Sequence, residues 1–141
     1  MSLEDLLRSG TIRRARPDPR SSARSLRAAK RDIDTAKMLA ANGKFDWALS
    51  IAYNAMLLAG RALMLKRGFR PSSSEGHVAV IRFLRAALKS GAGSDMVLAM
   101  NGMRKKRHRA VYEEMDTISG IEAKRALSWA EAFVEMVGRL V

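Results

Sequence analysis

From residue 22 onward, apolar side chains return every three or four positions and nowhere alternate with period two, a pattern that predicts helices and no strands. Leu26, Ala29, Ile33, Ala36, Leu39 and Ala40 mark the inner face of a first long helix, which Ser21 or Ser22 can cap and Asn42-Gly43 ends. A second helix, from about Phe45 to Arg67, is apolar round most of its circumference and reads as the centre of the core, with Gly68 as its stop. A turn over Phe69-Arg70-Pro71-Ser72-Ser73-Ser74-Glu75-Gly76 leads to a third helix, His77 to Ser90, whose Val80, Ile81, Leu84 and Leu88 face inward. Gly91-Ala92-Gly93 breaks the chain, and Ser94 caps a fourth helix from about Asp95 to Met115. After a bend at Asp116-Thr117 or Ser119-Gly120, Ile121 to Leu140 makes a fifth, with Leu127, Ala130, Phe133, Val134, Val137 and Leu140 on its inner side. The expected fold is an all-α, four- to five-helix up-and-down bundle over residues 22–141. Residues 1–21 stand apart: a short helix over 3–9, then Arg13-Arg14-Ala15-Arg16-Pro17-Asp18-Pro19-Arg20, whose prolines and charge predict a solvated basic arm within reach of nucleic acid.

One stretch breaks this pattern. In the fourth helix Met100, Val111, Met115 and Ile118 fall on one apolar stripe, and Arg104, Arg107 and His108 project into it, whereas Lys105, Lys106 and Arg109 point to solvent. A buried cation costs several kcal/mol unless something pairs it, on the order of what removing one partner of an ion pair costs. Arg104 and Arg107 therefore need carboxylates, a subunit cleft or an anionic ligand.

Charge sharpens that choice. With 26 Lys and Arg against 14 Asp and Glu, the net charge is +12, more than solubility requires, and the partner it favours is a polyanion such as RNA or DNA. The 141 residues contain no cysteine, which excludes disulfides and thiolate metal sites. His77 and His108 are the only histidines and have no ligand spacing around them, so neither a metal nor a cofactor is expected. The glycines fall between helices without the lysine and hydroxyl of a phosphate loop. A DNA recognition helix over Arg104 to Arg109 fits poorly, because a Gly-Ala-Gly break replaces the compact turn such a motif uses. Acids precede the short apolar patch at the start of the chain, the reverse of a secretory leader. The apolar region from Trp47 to Leu65 is interrupted by Asn54 and Arg61 and reads as a buried helix rather than a membrane span. The expected location is the cytoplasm, away from membranes.

Arg107-His108, with Tyr112 one turn on and Arg104 one turn before, resembles the HEPN family of small helical bundles, in which an Arg, a small polar residue and a His some positions later line a cleft between two subunits. Trp47-Ala48, Tyr53-Asn54-Ala55, Arg61-Ala62-Leu63-Met64 and Gly68 are similar to that family's second helix, and Gly76-His77-Val78-Ala79-Val80-Ile81 to the start of its third. The resemblance implies that Arg107 holds the position of the family's Arg and His108 that of the polar residue after it. Tyr112 stands where metal-independent HEPN ribonucleases place their His. It also implies a homodimer, and a partnership with a small nucleotidyltransferase in a toxin–antitoxin or related pair.

Three readings follow. In the first, the chain is a nucleotide- or RNA-binding module with Arg104, Arg107, His108 and Tyr112 lining an anion-binding cleft. In the second it is a metal-independent endoribonuclease, in which the arginines stabilise the phosphorane charge and His108 moves protons. Tyr112 serves less well there, because a phenol holds its proton at neutral pH. In the third it is a structural helical dimer without a ligand. Each residue also has a plainer role: Arg107 pairing with Glu113, Glu114 or Asp116, His108 bonded to a carbonyl, Tyr112 as a core-edge aromatic, His77 packing at a helix start, and the nine Met residues as core filler.

Overall fold

A computed structural model of the chain describes residues 1–72 and 76–141. Those residues form six helices, α1 (Leu3–Arg8), α2 (Pro19–Ala41), α3 (Phe45–Arg67), α4 (Gly76–Ala87), α5 (Gly91–Tyr112) and α6 (Gly120–Leu140), and two short strands, β1 (Ile12–Arg14) and β2 (Phe69–Pro71). Ser73, Ser74 and Glu75 of the expected turn lie outside the described residues.

The architecture is the all-helical bundle that the periodicity predicts, organised around α3. This helix is long and apolar enough to cross a membrane, yet it is enclosed by its neighbours, with Leu49, Tyr53, Met56, Leu63 and Met64 at 1% exposure or less. It runs antiparallel to α2, which is fastened to it by the Ser22 hydroxyl donating to the Ala62 carbonyl and the Ser25 hydroxyl to that of Leu58, both at 2.7 Å. On another side α4 comes so close that a Cβ at Gly60 would stand 2.7 Å from Val80 Cγ1 and 2.9 Å from Leu84 Cδ1. Phe133, Val134 and Val137 of α6 and Met100 of α5 complete the core.

Several boundaries differ from the sequence reading for physical reasons. The segment before residue 22 is not a solvated tether: Leu6 and Ile12 are fully buried, and β1 pairs antiparallel with β2, placing Ile12 opposite Pro71 and Arg14 opposite Phe69. Three residues are too few to display an alternating pattern. Pro19 opens α2 instead of excluding it, since a proline is tolerated in a first turn, and the Asp18 carboxylate caps that turn by accepting from Ser21 N at 3.0 Å. Gly91-Ala92-Gly93 is the first turn of α5 rather than a break; Gly93 lies against Leu88 and Met136, and this packing overrides weak helix propensity.

At its other end α5 stops at Tyr112, short of Met115. There the Asp46 carboxylate accepts from Asp116 N at 2.6 Å and Ile118 N at 3.3 Å, and Asp116 takes a left-handed backbone with φ 61°. The expected apolar stripe therefore dissolves beyond Val111: Met115 is 80% exposed, and Ile118 is buried from outside the helix. Leu140, expected inside, is also exposed.

Gly68 closes α3 in a left-handed conformation, φ 84°, and its carbonyl accepts from Ala15 N at 2.9 Å. A Cβ there would stand 2.9 Å from the Ala15 carbonyl oxygen, so strain and clash coincide. Gly68→Ala is expected to cost about 1–3 kcal/mol in urea unfolding. Gly43→Ala, with φ 72° but open space around it, is expected to cost less.

Candidate anion-binding cleft

The cleft is assembled from three helices. Tyr53 and Arg61 come from α3, eight residues and just over two turns apart; His77 comes from the first turn of α4; Arg104 and Arg107 come from one face of α5. Tyr53 is the floor. Its ring is 1% exposed, lies 5.9 Å from the His77 ring between centroids, and carries the Arg107 guanidinium over its face at 5.9 Å, within cation–π range. The Tyr53 hydroxyl and His77 Nδ1 are 3.5 Å apart, the outer limit of a hydrogen bond, and the His tautomer decides which donates.

The electrostatics are one-sided. Arg61, Arg104 and Arg107 all act on both Tyr53 and His77. Among the described residues none of the three guanidiniums forms an ion pair with a carboxylate, whereas Lys106 and Arg70 do, with Glu122 at 3.2 Å and Asp18 at 3.4 Å. The hydrogen bond from Arg104 Nε to Asn101 Oδ1, 3.2 Å, orients it without neutralising it. Burial, and then the charges of Arg107, Arg61 and Arg104, lower the pKa of His77 below that of an ordinary histidine. Burial raises that of Tyr53, against the pull of the same cations. The cleft thus pairs a neutral imidazole and a neutral phenol with three fixed positive charges, an arrangement suited to an anion with polar edges.

Of the residues singled out from sequence, Arg104 and Arg107 are half-buried and face this floor. His108 does not join them. It is exposed, with its ring 5.1 Å from that of Tyr112 and Nε2 4.0 Å from a Glu113 oxygen, because its place on α5 is about 100° round from Arg107. Tyr112 is 67% exposed at the end of α5, so it is neither a core-edge aromatic nor part of the cluster. Lys106, expected to point into water, is half-buried against Glu122.

Sequence reasoning placed Tyr53, Arg61 and His77 outside the site. The available signal was the pair of polar interruptions in the apolar helix, Asn54 and Arg61, seven residues apart and so on one face. Asn54 binds the buried Asp32 carboxylate at 2.7 Å, leaving Arg61 for the cleft.

One turn along the same seam, a hollow of about 430 Å³ opens between the start of α3 and the end of α5, walled by Trp47, Ser50, Ala110, Val111 and Met115. Ser50 and Val111 are one turn from Tyr53 and Arg107, so the hollow neighbours the arginine cluster, although none of the cluster's five residues lines it. Trp47 is 60% exposed there, and the buried Ser50 hydroxyl has no hydrogen-bond partner among the described residues.

The family model for the HEPN domain matches residues 22–140. No curated protein matches the chain.

A histidine with a depressed folded pKa supports stability fully above its unfolded value, about 6.5, and that support is lost as pH falls through the folded value. Between pH 7 and pH 5 the wild type is expected to lose more stability in thermal melts than His77→Gln. In NMR titrations the His77 midpoint is expected below that of a free histidine, and phosphate bound beside it is expected to move it upward.

Proposed function

The chain belongs to the HEPN domain family, and from that premise we propose that it is a nucleotide- or RNA-binding module whose anion site is the cleft of Arg61, Arg104 and Arg107 around Tyr53 and His77. The observation that carries this reading is the convergence of three guanidiniums, without an ion-paired carboxylate among the described residues, on one buried tyrosine and one histidine held neutral. A phosphate group supplies the missing charge and accepts the fork of N–H donors that a guanidinium presents. The hollow beside Trp47 and Ser50 takes the base, which stacks on the exposed indole. His108 and Tyr112, their rings 5.1 Å apart and tilted by 45° at the outer end of α5, form the lip over which a longer strand leaves.

The same end of the bundle exposes Trp47, Tyr112, Met115 and Ile121, and this grouping supports a homodimer in which the lip is shared between copies. The family resemblance supports work beside a nucleotidyltransferase, in a toxin–antitoxin or related pair.

A second reading, a metal-independent endoribonuclease, is favoured by one observation: a histidine, His77, stands beside the arginines. In that chemistry a base removes the proton of a ribose 2′-hydroxyl, its oxygen bonds to the adjacent phosphorus, the bond from phosphorus to the 5′-oxygen breaks, and that oxygen takes a proton. His77, its pKa lowered by desolvation and by the three arginines, stands beside them for the first step; His108, exposed like His77, sits on another side of α5 beside Tyr112. Arg104 and Arg107 would stabilise the negative charge that develops on the non-bridging phosphate oxygens.

Fluorescence titration with AMP and with a short single-stranded RNA separates these readings from a structural dimer. Binding that falls at least about tenfold in Arg107→Gln, as loss of a charged hydrogen bond of roughly 1.5–3 kcal/mol implies, supports the module. Cleavage in chelator that is lost in His77→Ala and retained in His108→Ala supports the enzyme. Should neither ligand bind, with Arg107→Gln altering only dimerisation or melting, the structural role stands instead.

A further inference from the structure

The outer side of α2 carries a second cationic surface that shares no residue with the cleft. Arg20, Arg24, Arg27 and Arg31 follow at steps of four, three and four residues, which sets them in one line along the helix at rises of roughly 6, 4.5 and 6 Å. All four are exposed. They point away from α3, to which the same helix turns Ser22, Ser25 and Asp32. Around them residues 13–31 hold eight Lys and Arg against a single acid, Asp18, and that acid already serves as the α2 cap and as the partner of Arg70.

The line works against the stability of the helix that bears it. Cations are disfavoured at the positive end of a helix dipole, yet the first turn of α2 has no acidic residue and contains Arg20. Like charges four residues apart repel. Among the described residues only Arg31 of the four has an ion pair, with Asp32 at 3.1 Å, and its side chain remains 71% exposed. The Asp18 cap and the Arg31–Asp32 pair offset only part of this cost, and Arg20, Arg24 and Arg27 form no ion pair among the described residues, so the line calls for an external partner.

We propose that this line is a track for the phosphate backbone of RNA. A strand of B-DNA advances about 3.4 Å along its axis per phosphate and A-form RNA rather less, so a line about 16.5 Å long spans at least about five phosphates of an RNA strand. Guanidinium groups grip such oxygens in pairs. A nucleic acid fits better than a lipid surface, because Leu26, Ala29, Ile33 and Ala36, the apolar face of α2, are buried in the core. Met38 is the one large apolar side chain that α2 exposes, too little for an amphipathic membrane anchor. The track gives affinity without sequence preference, and its existence does not depend on what the cleft binds.

The test uses the full chain with Arg20→Gln, Arg24→Gln and Arg27→Gln combined, probed with a roughly 20-base-pair RNA duplex across a salt series, with AMP as the probe of the cleft. The triple variant is expected to bind duplex at least about tenfold more weakly at low salt and to flatten the slope of log K against log salt by about two to three, since each phosphate neutralised contributes about 0.9. AMP binding and the melting curve are expected to stay at wild-type values. Lysine at the same three positions is expected to restore the slope, which separates charge from folding. Duplex affinity and slope unchanged in the glutamine variant would overturn the track, as would a variant that loses binding to phosphatidylserine vesicles while binding RNA normally. If AMP fails to bind the wild type while duplex binding still depends on the three arginines, the cleft reading fails and the track stands.

Discussion

Enclosing α3 is the constraint on which the rest of the molecule depends. Thirteen of its residues are buried, so α2, α4, α5 and α6 must pack round it, and Gly60 lets α4 approach nearer than any side chain at that position would allow. Apolar burial at about 25 cal/mol per Å² drives this arrangement, and it leaves α3 one strip on which polar groups can stand. Ser50, Asn54 and Arg61 lie along that strip, half-buried or fully covered. Between its two charged ends, Asp46 and Lys66-Arg67, Arg61 on this strip is the one ionised side chain of α3, and the cluster forms beside it.

The cost of placing guanidiniums at such a seam decides their chemistry. Arg104 and Arg107 keep partial contact with water, Arg107 lies over the Tyr53 ring and Arg104 bonds to Asn101, so the desolvation penalty stays below that of a buried ion. Exposed His77 still has its pKa lowered, first by the desolvation it does undergo and then because a fourth positive charge would add repulsion from Arg107, Arg61 and Arg104. Charge in this protein is therefore sorted by depth: cations at the seam gather round a neutral pair, while those on the outer side of α2 stand in water.

The all-helical class, the central place of α3 and the half-burial of Arg104 and Arg107 were legible in the sequence, because each rests on a periodicity that runs over many residues. His108 was misplaced because it lies about 100° round α5 from Arg107, and Tyr112 because the end of α5 is set by a side chain far off in sequence, Asp46, which catches the backbone at Asp116 and Ile118. No pattern within α5 encodes that stop. The β ribbon escaped for a similar reason: its two strands are three residues each and meet across more than fifty positions of chain. Arg61 and His77 declare themselves as oddities of their own helices, but that they face one tyrosine follows only from how α3, α4 and α5 pack.

Tyr53, His77 and Arg107 belong to three helices and are brought together only when these pack. A copy whose α4 has come loose, or whose α5 has frayed from its last turn, keeps every positive charge but has no grip. Were the proposed anion to bind, it would stabilise only the completed bundle, so its occupancy would measure how intact the packing of these three helices is.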